Sequence, residues 1–162
     1  GLKTAVITST IRTPEEQAAI MLENAKKNLK KQYDLYEAAG ESVLDVYKEN
    51  KSASNVLSLM VAKIKALGED GKRVSKHCVS NEAYLKRNVI DIGLNSMKAA
   101  NANFEPKKFA AVLKKLRDDG YLEILIDETA ISNSAWHFEI LVNKKALVKH
   151  EQNTILDATA WV

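Results

Sequence analysis

The apolar residues of this chain change period along its length, and that change limits the architectures open to it. In the first half they recur every three to four positions, as in Ile20, Met21, Ala25 and Leu29, or Val56, Leu57, Met60, Ile64 and Leu67. That is the spacing of one helix face. In "AWHFEILV", Ala135 to Val142, the residues Trp136, Phe138 and Ile140 instead fall on alternate positions, as on one face of a strand. A chain that reads as helices first and strands later belongs to the α+β class. The expected fold is a set of N-terminal helices packed on a small antiparallel sheet.

Local signals punctuate this pattern. "TAVITST" predicts a short strand from Thr4 to Thr10. "TPEEQ" predicts a helix start, with Thr13 as N-cap, Pro14 at the first helical position and two glutamates in the first turn. This helix should run to about Lys31, with Tyr33 and Tyr36 extending its apolar stripe. Gly40 interrupts, after which "ESVLDVYKEN" and "SASNVLSLMVAKIKALG" read as two more helices. "RVSKHC" and "NVIDIGL" read as short strands separated by the polar stretch Val79 to Arg87. "EPKKFAAVLKKLRDDG" predicts a helix opened by Pro106 and closed by Gly120. "YLEILID" and "AWHFEILV" form the strands of a hairpin around the loop Glu128 to Ser134. No internal repeat or linker interrupts the 162 residues, so residues 1–162 are expected to form one domain around one core.

Charge and cysteine content narrow the function classes. A net charge of +3 permits an acidic polymer or a bacterial wall as partner and is too mild to demand nucleic acid. Cys78 is the only cysteine, which excludes an internal disulfide and a cysteine-based zinc finger. No apolar run is long enough to span a membrane, and no leader is visible. The basic run "KKNLKK", Lys26 to Lys31, reads as a solvated helix face, and His150 receives no role.

The chemistry concentrates in three short stretches. In "AWHFEI" the residues His137 and Glu139 share the strand face opposite Trp136 and Phe138, which belong to the core. His77 stands in "SKHC" and Asp91 in "VIDIG", where an unpaired carboxylate among Val89, Ile90 and Ile92 would be costly to bury. Two imidazoles and a carboxylate suit zinc, whose catalytic sites take three protein ligands and leave one position open. They also suit a plain alternative, in which Asp91 pairs with an arginine or a backbone amine and both histidines are satisfied sheet residues. Cys78, adjacent to His77, should face the other way and be buried.

"ITSTIRTPEEQ", "SKH" followed by "VIDIG", and "AWHFE", in that order over Ile7 to Leu141, resemble the D-alanyl-D-alanine carboxypeptidase family of zinc peptidases. That family includes vancomycin-resistance D,D-dipeptidases and phage endolysins. The resemblance implies zinc held by His77, Asp91 and His137, with Ser75 against bound peptide and Arg12 holding a substrate carboxylate or polarised carbonyl. It further implies a zinc metallopeptidase that cuts peptidoglycan stem or cross-bridge peptides next to D-alanine. Such an enzyme acts at the bacterial cell wall, as a phage-type lysin released from the cytoplasm or as a wall-remodelling protein.

This sequence departs from the family pattern twice. Thirteen residues, Cys78 to Ile90, separate His77 from Asp91 without a glycine, where six are usual. Ser134 occupies the position, three before the last histidine, at which the family carries its general base. A serine cannot take that proton unaided. The replacement expected first is Glu139, on the His137 face, followed by Asp127 and Glu128 at the loop entrance. The same departure motivates a rival reading, a catalytically silent metal-containing domain that binds peptidoglycan or a protein partner.

Overall fold

A computed structural model describes residues 2, 4–130 and 134–142 of the chain; His150 lies outside them. Along these residues run β1 (Ile7–Ser9), α1 (Pro14–Tyr33), α2 (Ala38–Glu49), α3 (Val56–Ala66), α4 (Asn81–Lys86), β2 (Arg87–Gly93), α5 (Leu94–Ala100), α6 (Pro106–Asp118), β3 (Ile124–Asp127) and β4 (Ala135–Leu141), with a 3-10 turn at Glu69–Gly71. The fold is α+β. None of these helices is long and apolar enough to cross a membrane. Against the expectation of one core, the chain divides into two compact units, residues 11–84 and the described residues on either side of them. Each has its own buried cluster.

The helical unit begins where the sequence places it. Thr13 accepts a hydrogen bond from the Glu16 backbone N–H, and the Glu16 carboxylate accepts one from the Thr13 N–H, closing a reciprocal capping box around Pro14. The helix is kinked at Asn28, in the middle of the basic run, where the side chain accepts the Lys31 N–H and caps a second helical segment. Ala18, Met21, Leu22 and Ala25 face Val43 and Leu44 of α2 and Met60 and Ile64 of α3, and Cys78 is wholly buried in the same cluster. Gly40 does not interrupt: it lies inside α2, while the chain turns earlier, between Tyr33 and Ala38.

"RVSKHC" is not a strand. Gly71 adopts a left-handed φ of +85°, and an added Cβ there would stand 2.7 Å from the Cys78 sulfur. The chain then winds through turns in which the Val74 and Ser75 N–H groups donate to the Gly71 carbonyl and the Cys78 N–H to the Ser75 carbonyl. Burial of Val74 and Cys78 every fourth residue satisfies the apolar pattern without a sheet partner.

The sheet unit is antiparallel, in the order β1-β2-β4-β3. All seven residues of β2 pair with those of β4, from Arg87 opposite Leu141 to Gly93 opposite Ala135. One face is apolar and packs on α5 and α6: Trp136 meets the rings of Phe104 and Phe109 edge-on, 6.0 and 5.0 Å between centroids, with Met97, Leu113 and Phe138 around them. The opposite face carries Asp91, His137 and Glu139. Gly120, at φ +85°, ends α6 as expected, whereas β3 starts at Ile124, three residues later than the sequence suggested.

Trp136→Ala should remove about 3–5 kcal/mol of stability through the cavity it leaves. Leu85→Ala, at a side chain 71% exposed, should change little. Chemical denaturation of both variants checks this contrast.

Candidate metal centre

The two central strands place the first pair of expected ligands. Asp91 on β2 and His137 on β4 are direct register partners, so their side chains leave the sheet on the same face. Asp91 Oδ1 lies 2.9 Å from His137 Nδ1, and His137 is 4% exposed. A half-buried carboxylate and a buried imidazole at this distance compensate each other, since either alone in so apolar a strand would be costly.

Glu139 follows on the same face and is 6% exposed. Its Oε2 takes a charge-assisted hydrogen bond from Arg87 Nη1 at 3.0 Å, and its Oε1 stands 3.6 Å from His137 Nε2. Of the other acids expected near the centre, Asp127 pairs with Trp136 and lies on the opposite face. Burial raises its pKa, but hydrogen bonds from the Thr129 hydroxyl and amide counter this, and the carboxyl lies below the usual range. Glu128 is tied by its backbone, its N–H donating to the Ala135 carbonyl at 2.9 Å. Ser134 adopts a left-handed φ of 47°, and its carbonyl accepts the Leu94 N–H.

The helical unit holds the remaining expected residues. His77 is 6% exposed. Ser75 Oγ accepts the His77 N–H at 3.3 Å, so its contact there is with the backbone carrying the imidazole. The Arg12 N–H donates to the His77 carbonyl at 2.7 Å, which ties the two residues together through the main chain. Arg12 Nη1 donates to Gln17 Oε1 at 3.2 Å. The thirteen residues between His77 and Asp91 comprise a short connection, α4 and the first residues of β2, and α4 buries none of its side chains.

His77, Asp91 and His137 form a group that could hold a metal ion. The donor chemistry fits: two buried imidazoles and one carboxylate are the set used by open, three-ligand zinc sites. Two partners of the other expected site residues, Arg87 for Glu139 and Gln17 for Arg12, were not legible in the sequence. Arg87 lies in what reads as a polar connection, and Gln17 gives no signal beyond its place in the first turns of α1. No protein-family model, curated protein or solved structure matches the chain.

If the three residues act as ligands, the protein binds one divalent cation per chain. His77→Ala, Asp91→Ala and His137→Ala should then each weaken that binding by about 100-fold or more. Chelator competition on variants with unchanged far-UV circular dichroism tests this, and equal affinity across the series would detach these residues from metal binding.

Proposed function

We propose that the protein is a zinc-dependent peptidase acting on the peptides of bacterial peptidoglycan, next to D-alanine. The observation that carries the reading is the pair of half-buried Asp91 and buried His137, 2.9 Å apart on paired strands, in a chain whose His77 and Arg12 stand in the order the family resemblance requires. Zinc held by His77, Asp91 and His137 would supply a Lewis acid that activates water and polarises the scissile carbonyl.

The chain's own residues do the rest. Arg12 binds the substrate carboxylate, using the planar fork that lysine lacks. Its backbone bond to the His77 carbonyl ties the segment that carries the fork to the one that carries the imidazole. Asp91 Oδ1 and His137 Nδ1, 2.9 Å apart, would be the two donor atoms that the sheet turns to the ion. Glu139, on the face of His137, is the proton acceptor in this reading, with Arg87 holding one of its oxygens. Ser75 acts on the His77 backbone and, through that, on the bound peptide.

A second reading is favoured by one observation, the serine at 134 in place of the family's acid: a metal-containing domain that binds wall peptide or a protein without cutting it. Purified protein supplied with zinc should clear purified peptidoglycan, and His137→Ala should abolish this while staying folded. Metal binding and wall binding with no release of peptide would select the silent domain.

Glu139→Gln separates two roles for this acid. Loss of turnover by roughly 100-fold or more at unchanged zinc affinity identifies the proton acceptor. Weakened zinc affinity makes Glu139 an acceptor that orients His137. Unchanged turnover and affinity would move the proton transfer to Glu128.

A further inference from the structure

The start of α1 contains a buried polar connection to which the proposed chemistry assigns no part. Gln17 is 0% exposed, among Ala18, Met21 and the rest of the helical core. Such an amide persists there only with both ends satisfied. Its Oε1 accepts from Arg12 Nη1 at 3.2 Å, and its Nε2 donates to the Tyr36 hydroxyl at 3.2 Å. Burial raises the Tyr36 pKa, against the opposing pull of Gln17 and Arg12, so the hydroxyl stays neutral.

The connection is fixed at each end. Tyr36 lies against Gly40, where an added Cβ would fall 2.5 Å from its Cδ1 and 2.7 Å from its Cβ and Cγ. A side chain at position 40 would therefore displace the ring. At the other end the capping box fixes the first turn of α1, the Gln17 N–H donates to the Thr13 carbonyl at 3.0 Å, and the Arg12 N–H is held by the His77 carbonyl. Gly40, Tyr36, Gln17 and Arg12 thus form a chain of contacts from the core to a guanidinium. Fixing one Nη restricts the plane of the fork, and bidentate recognition of a carboxylate depends on that plane.

We propose that Gln17 and Tyr36 are positioning residues that set the plane of the Arg12 fork for the substrate carboxylate. This rests on the assignment of Arg12 to a substrate carboxylate made above. It adds what holds the arginine.

The test uses the full chain and two probes, a peptide ending in D-alanyl-D-alanine as the free acid and the same peptide as its C-terminal amide. Calorimetry measures binding to zinc-free protein, and hydrolysis is followed with zinc present. The wild type should prefer the acid. Gln17→Leu should weaken binding of the acid about 10-fold and Tyr36→Phe about threefold, with binding of the amide unchanged. Gly40→Ala should act in the direction of Gln17→Leu. With zinc, KM for the acid should rise in step while kcat stays within about twofold.

Arg12→Ala should abolish the preference. If it does so while Gln17→Leu and Tyr36→Phe keep the full wild-type preference, the bracing role is overturned and the arginine's role stands. If Arg12→Ala leaves the preference intact, or the wild type binds both probes equally or neither, the carboxylate assignment itself is overturned. Tyr36→Phe removes a single hydroxyl, so the inference stays testable if Gln17→Leu fails to fold.

Discussion

The pairing of β2 with β4 is the constraint from which the chemistry of the sheet unit follows. A shift of one residue in this register would send Asp91 and His137 to opposite faces. In the observed register they meet at 2.9 Å, and the apolar face formed by Ile92, Trp136 and Phe138 packs on the helices behind it. The aromatic packing of Trp136 therefore does more than stabilise the unit. It fixes which side chains of β4 are turned toward polar partners, because burying Trp136 and Phe138 on one side leaves His137 and Glu139 only the other.

How much of this was legible depends on whether the determining interaction is local. The start of α1 could be read from five residues, since Thr13, Pro14 and Glu16 meet one another within a single turn. The alternation in β4 and the closing glycine of α6 are local in the same sense. The stretch from Arg73 to Cys78 misled because a turn that buries Val74 and Cys78 shows the same short apolar pattern as a half-buried strand. Helix α4 shows no apolar stripe and buries nothing, and α5 is seven residues long with one buried side chain, so neither offers a period to detect.

For the candidate centre, the residue types were legible and their partners were not. His137 and Asp91 are 46 positions apart, and nothing in either segment states that they are register partners. Glu139 could be placed on the face of His137 from the strand period alone. Its ion pair with Arg87 depends on Arg87 lying on the same face of the neighbouring strand, which requires the pairing to be known. The acid at 127 shows the converse, since proximity along the chain suggested a role that its place beside Trp136 on the apolar face does not support.

The helical unit follows the same logic with different means. A capping box, a backbone bond from Arg12 to the His77 carbonyl and a buried glutamine together constrain one arginine more tightly than an exposed side chain of that length would be. An apolar core beneath a few polar groups held by backbone and buried amides is the kind of support a preorganised site needs.

The most direct measurement is anomalous diffraction at the zinc edge from crystals grown with zinc. The account predicts a single strong peak bonded to His77, Asp91 and His137 at about 2.0–2.2 Å, with a fourth position open to solvent or substrate. The absence of a peak at those side chains, or a zinc ion held by other residues, would contradict it.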